Sequence, residues 1–217
     1  MALKNMRKDV FITAFIMVVA IFLVGFYLGG KLDTYRISDI DELLNNVDLD
    51  IQGLEGENDF YSIFSENSCD IYITQLSSFR KSLAKMGQKL SDYDAKKLQH
   101  EKYYNLLKRK YIVSELRFYN LKKKIDEGCP SKEPIILFFY DTVNNEKSLR
   151  QGYVLDNIVN KNLNISVLSF DINFDDIVVH ALTDFYDINS APTMIVNYEN
   201  KIETFKSEVE LRAIVEN

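Results

Sequence analysis

The apolar positions of this chain fall into three regimes. From Val10 to Leu28 they are continuous, VFITAFIMVVAIFLVGFYL, close to the roughly 20 residues a helix needs to cross a bilayer core. No polar face interrupts the run, which separates it from a buried core helix. From Leu76 to Ile125 apolar residues instead recur in alternating steps of three and four. Leu76, Phe79, Leu83, Met86, Leu90 and Tyr93, then Tyr104, Leu107, Tyr111, Phe118, Leu121 and Ile125, make a heptad seam that lapses at Lys97, His100 and Ser114. From Glu133 onward, short apolar runs alternate with amphipathic stretches.

The first regime predicts a membrane anchor over 10–28 behind a tail at 1–9. Lys4, Arg7 and Lys8 precede the span and the stretch from Lys31 to Asp50 is net acidic, so the positive-inside bias places the N-terminus in the cytoplasm and the rest outside. A cleaved signal peptide competes with this reading, but the run is long for its apolar centre, and Tyr27-Leu28-Gly29-Gly30 is a poor cleavage site. Residues 31–68 read as an acidic stalk with one short helix from Ser38, broken by Gly53 and Gly56.

The second regime, 69–129, predicts two helices folded back at the polar break as an antiparallel hairpin. A single rod of about 80 Å, at 1.5 Å per residue, would instead need a coiled-coil partner. The chain has two cysteines. Cys69 precedes the first helix, Cys129 follows the second, and Gln99 lies midway, so a hairpin turning there sets them level. Export then favours a Cys69–Cys129 disulfide over free thiols or interchain pairing. The basic stretch Lys96 to Lys124 reads as the solvated face of a helix rather than a binding patch.

In the third regime Pro134 opens the apolar strand Ile135–Tyr140, suited to a sheet covered on both faces. A helix ending near Lys161 follows, with Tyr153, Val154, Ile158 and Val159 inward. Next come a strand over Ile165–Phe170 and a helix over Asp175–Tyr186 using Ile177, Val178, Ala181, Leu182 and Phe185. Thr193–Tyr198 and Lys201–Phe205 form a hairpin about Glu199-Asn200, and Ser207 to Glu210 is a capping box for the last helix. The order β-α-β-α-β-β-α predicts one α/β domain.

The local text of that domain resembles the thioredoxin-like superfamily, over 133–217 only. Leu137-Phe138-Phe139-Tyr140 is similar to the family's first core strand, Val154-Leu155-Asp156-Asn157-Ile158-Val159 to the helix after its redox motif, and Ser169-Phe170-Asp171-Ile172-Asn173 to its second strand. Tyr186-Asp187-Ile188-Asn189-Ser190-Ala191-Pro192-Thr193 resembles its cis-proline turn. The resemblance implies a cis Ala191–Pro192 bond. It places the redox motif at Val143–Glu146, counted from the strand, or at Asn145–Ser148, counted from the helix. Neither register contains a thiol, and the family's buried acid would fall near Leu137. A Ser148 hydroxyl cannot replace thiolate attack; it reads as a helix-start residue.

Other chemistry is sparse. At a net charge of −6 the chain lacks the clustered basic residues nucleic acid requires. Asp171 to Asp175 has the oxygen spacing of a calcium loop, but Asp176 and Leu182 occupy its glycine and glutamate positions. His100 and His180 read as surface or cap residues. Asn164-Ile165-Ser166 is a weak glycosylation sequon. No cofactor or metal is expected.

The expected function is therefore a single-pass, extracytoplasmic, non-catalytic interaction module. An extended segment of an unidentified protein would pair in a groove of Ser190, Ala191, Pro192, Thr142, Val143, Asn145 and Ser148, through main-chain groups that need no sulfur. Two alternatives stand beside it: a thiol-disulfide oxidoreductase using Cys69 and Cys129, and a coiled-coil assembly factor whose hairpin is the working part.

Overall fold

In the computed structural model of the chain the residues described are 11–31, 38, 41–42, 45–46, 48–49, 52–53, 69–95, 101–129, 133–143, 145–161 and 165–215. The tail 1–9, Gly56, Lys97, His100, Asn164 and the turn about Gln99 lie outside them. The chain divides into two units, Met1–Leu43 and Leu44–Asn217. In the first, helix α1, Phe11–Lys31, has mean hydropathy 2.7 and no buried side chains within the unit, so it is long and apolar enough to cross a membrane. Ser38 and Asp41 in the first unit, and Asn45, Asp48 and Gln52-Gly53 in the second, are helical. Gly53 is itself helical, and a helical glycine costs only about 1 kcal/mol relative to alanine. Gln52 Nε2 donates to Asp48 one turn earlier (3.0 Å), and within the second unit Arg117 donates to Asp48 (2.5 Å) in a half-exposed pair.

Helices α2, Cys69–Ala95, and α3, Glu101–Gly128, form an antiparallel hairpin closed by the Cys69–Cys129 disulfide, with Cα atoms 5.7 Å apart. The apolar seam is its interior: Leu76, Phe79, Leu83, Met86 and Leu90 are buried, as are Leu107, Phe118, Leu121 and Ile125. The rings of Phe79 and Phe118 meet edge-on across it, 5.2 Å between centroids. A Cβ at Gly87 would lie 2.7 Å from the Tyr111 hydroxyl, so glycine at this point leaves Tyr111 its place.

Strands β1, Ile135–Tyr140, β2, Ser166–Asp171, β3, Thr193–Val196, and β4, Asn200–Ile202, form one sheet in the order β2-β1-β3-β4. β1 runs parallel to β2 (Leu137 opposite Leu168) and antiparallel to β3 (Leu137 opposite Ile195), and β3 pairs antiparallel with β4. Helices α4, Glu146–Lys161, α5, Ile177–Phe185, and α6, Glu208–Val215, complete the unit. Because side chains alternate along a strand, Ile136 and Phe138 join Leu155, Ile158, Met194, Val196 and Leu211 in a core under α4 and α6. The intervening Phe139 stacks on Phe170 and reaches Tyr186 at the C-cap of α5 on the other face.

Several sequence expectations shift. The inward stripe of α4 is Ser148, Gln151, Leu155 and Ile158, whereas Tyr153 is 61% exposed. Two polar residues occupy this stripe because each is bonded: Ser148 Oγ accepts from Asp141 N, and Gln151 Oε1 from Lys206 N (2.7 Å). The β3–β4 turn is centred on Asn197-Tyr198, at φ 50° and 73°, rather than on Glu199-Asn200. Asn197 bonds both ways with Ile135, and the Tyr198 hydroxyl is held by Asp126 (2.7 Å), which fixes the unusual conformation. The capping box forms as read, with Ser207 N donating to Glu210 Oε2 (2.9 Å) and Glu210 N to Ser207 Oγ (3.4 Å). This bonding holds the Glu210 carboxyl below its ordinary pKa.

Candidate functional site

The loop after β1 and the turn before β3 meet at the carboxyl end of β1. Asn145 is the residue that joins them. Its Oδ1 accepts from Ser148 N (3.1 Å), which caps the start of α4, while its Nδ2 donates to Ala191 O (2.5 Å). The Ala191–Pro192 bond is cis, and Thr193 Oγ1 donates to Ser190 O (2.7 Å). Ser190 is exposed, Ala191 half-buried and Pro192 buried. Thr142 and Val143 are exposed: Val143 N donates to Asp141 Oδ1 (2.7 Å), and Thr142 Oγ1 to Asp171 Oδ2 (3.3 Å). Ser148 is buried under the loop. The carbonyl of Ala191 is thus already engaged from within the chain.

Cys69 and Cys129 do not enter this loop. Cys129 precedes the amino end of β1 and the loop follows its carboxyl end, so the whole strand intervenes. Leu137, the position of the resemblance's acid, is fully buried.

A buried carboxyl comes instead from α3. Sequence reading gave α3 one apolar face and left its basic residues in solvent; the structure buries a second face composed of Lys108, Ile112, Glu115, Tyr119, Lys122 and Asp126. Lys122 is 1% exposed, both oxygens of Asp126 lie 2.7 Å from its ammonium, and the Tyr198 hydroxyl completes the group. Lys108 pairs with Asp171 at 2.7 Å, its ammonium also lying over the Phe174 ring, and Arg109 pairs with Asp176 at 2.9 Å. Tyr119 and Tyr186 join through their hydroxyls. Lys108, Lys122 and their carboxylates leave solvent because each has its partner in place, the condition under which buried ions are tolerated, whereas Arg109 stays exposed and reaches in to the buried Asp176.

Glu115 is the exception. Its Oε1 accepts from Ser169 N (2.9 Å), an N–H on the side of β2 that faces away from β1, so the side chain caps an otherwise open sheet edge. Its Oε2 has no hydrogen-bond partner among the described residues. Burial pushes this carboxyl up to about 8, with the Ser169 bond and the Tyr111 hydroxyl opposing only in part. Burial and the neighbouring Glu115 likewise raise the Tyr111 phenol. The only sequence signal for this face was polar spacing at 108, 115, 122 and 126, which reads equally as a solvated stripe.

His180 is exposed and bonds Asp175 at 3.0 Å. Among the described residues no group of three or more His, Cys, Asp and Glu is placed to hold a metal ion.

No protein-family model matches the chain, and no curated protein matches it. Solved structures do match part of it. A structure of a malarial protein is 19% identical with TM-score 0.35, covering 39% of this chain and 96% of its own. Thioredoxin-2, a component of malaria parasite protein secretion machinery, is 19% identical with TM-score 0.34 over 38% of this chain and 81% of its own. Oxidised thioredoxin O2 from Arabidopsis thaliana is 17% identical with TM-score 0.36 over 47% and 86%. Over part of its length, then, the chain is similar to thioredoxin-like structures.

Proposed function

We propose that this protein is a membrane-anchored, thioredoxin-like interaction module that binds an extended protein segment on the outer side of a membrane and performs no dithiol chemistry. One observation carries the reading: both cysteine sulfurs are committed to the Cys69–Cys129 bridge, while the loop Asp141–Ser148 facing the Ser190-Ala191-Pro192 turn is held by Asn145 and contains no sulfur. Disulfide exchange proceeds by thiolate attack, so that loop cannot transfer electrons. A binding role needs only main-chain groups. Asn145 narrows it, because with the Ala191 carbonyl engaged an incoming strand pairs through the Ala191 N–H or displaces the Asn145 amide. The apolar helix α1 and the basic residues before it support the anchor and its orientation.

The test pairs two measurements on the full-length protein in lipid nanodiscs. Insulin reduction with dithiothreitol should proceed at the uncatalysed rate; acceleration by the protein would restore the oxidoreductase reading. Selection of displayed extended peptides should yield binders that Ala191→Trp, which fills the groove, no longer retains. Peptides indifferent to that substitution would place recognition elsewhere.

A further inference from the structure

Helix α5 leaves one face uncovered. Val178, Val179 and Leu182 are buried toward the domain, whereas Ile177 is 72% and Phe185 75% exposed, with Ala181 exposed between them on the same line of the helix. His180 and Asp184 flank that line, Asp175 lies at its start and Asp187 just beyond its end. From Asp171 to Pro192 the chain has five aspartates and no lysine or arginine. Asp171 and Asp176 are taken by Lys108 and Arg109 of α3. Asp184 makes no ion pair among the described residues.

We infer that the outward face of α5 docks a basic amphipathic helix of another protein, with Ile177 and Phe185 entering its apolar side and Asp184, Asp187 and Asp175 meeting its Lys and Arg residues. On its opposite side α5 is covered from within the chain, where α3 packs against it and pairs with its N-cap through Arg109. The charge distribution favours a basic partner. From Glu133 to Asn217 there are fourteen Asp and Glu against six Lys and Arg, while Cys69 to Gly128 has seven against fourteen. Isolated exposed apolar side chains are ordinary, but two large ones aligned on a short helix with carboxylates around them suit packing against the apolar stripe of a second helix. The carboxylates also decide against a lipid surface, whose anionic headgroups would repel them. This face lies outside the loop Asp141–Ser148 and the Ser190–Pro192 turn, so the inference stands apart from the function proposed above.

The probe is a fluorescent Leu/Lys amphipathic helical peptide of about 18 residues, five turns, titrated against the full-length protein in zwitterionic nanodiscs with empty discs subtracted. Saturable binding is expected. Ile177→Ser and Phe185→Ser should each weaken it about tenfold, and Asp184→Lys about fivefold. Glu199→Lys, which makes the same charge change away from α5, should move it less than about twofold. All four positions are exposed, so circular dichroism should show unchanged folding. Equal affinity of Ile177→Ser and wild type, or equal binding of a Leu/Glu peptide of the same apolar pattern, would overturn the inference. Concentration-dependent self-association abolished by Phe185→Ser would also overturn it, by making a second copy of the chain the occupant.

Discussion

Glu115→Gln tests how α3 is held to the sheet edge. With the folded carboxyl at about 8 and an ordinary value of 4.5, the unfolded chain ionises this group while the folded protein keeps it protonated. Below pH 4.5 both states hold the proton and the group has no effect on stability. Between the two values stability falls by ~1.4 kcal/mol per pH unit, and above the folded value the loss levels off at ~5 kcal/mol. The glutamine keeps the bond from Ser169 N through its carbonyl. Its own cost, a buried amide N–H₂ where Oε2 has no partner, is about 1–3 kcal/mol and does not vary with pH. The two stability profiles should therefore cross: the variant is the weaker protein near pH 5 and the stronger one near pH 8. Urea unfolding of the full-length protein in micelles, followed by far-ultraviolet circular dichroism because the chain has no tryptophan, measures both profiles. Every other titrating group contributes equally to each and cancels in the difference. Parallel profiles across that range would show that Glu115 is ionised or solvated in the folded state, and the account of the capped edge would fail.

Four further outcomes follow from named contacts. Lys122→Met should destabilise the second unit by about 3–5 kcal/mol, since it leaves the Asp126 charge buried with only the Tyr198 hydroxyl; Lys122→Met with Asp126→Leu should recover much of that loss in the same unfolding assay. Replacing Cys69 and Cys129 by serine frees a long loop in the unfolded chain and should cost about 4 kcal/mol, read as a lower urea midpoint than the oxidised wild type. Asp187 sits at φ 51° just after α5, where Ile188 N bonds Thr183 O and Asp187 N bonds Asp184 O; Asp187→Gly should therefore raise stability by about 1 kcal/mol, and a fall would mean the Asn189 bond to the Asp187 carboxylate matters more. Asn145→Ala should cost about 1 kcal/mol as a lost cap, and hydrogen exchange should quicken at the Ser148 amide but not in β1.

The sequence by itself determined the elements whose physics is local. A helix over the apolar run at 10–28 needs no partner to be read. The seam Leu76 to Ile125, set against the placement of Cys69 and Cys129, was enough to infer a hairpin and its bridge. Ser207 to Glu210 announced its own cap, and the apolar run Ile135–Phe139 announced a strand covered on both sides. Tertiary structure alone decided which polar residues leave water. Lys108, Glu115 and Lys122 have the same spacing whether they meet solvent or a sheet edge, and only the proximity of Asp171, Ser169 and Asp126 makes burial tolerable. It decided exposure too, because Tyr153, Ile177 and Phe185 are apolar residues on plausible inward stripes until neighbouring elements claim other positions. The engagement of Ala191 by Asn145 joins residues 46 apart in sequence, a distance at which no periodicity carries information. Hydrophobic spacing is written along one helix or strand; a buried charge is tolerated only by a partner that folding brings from elsewhere.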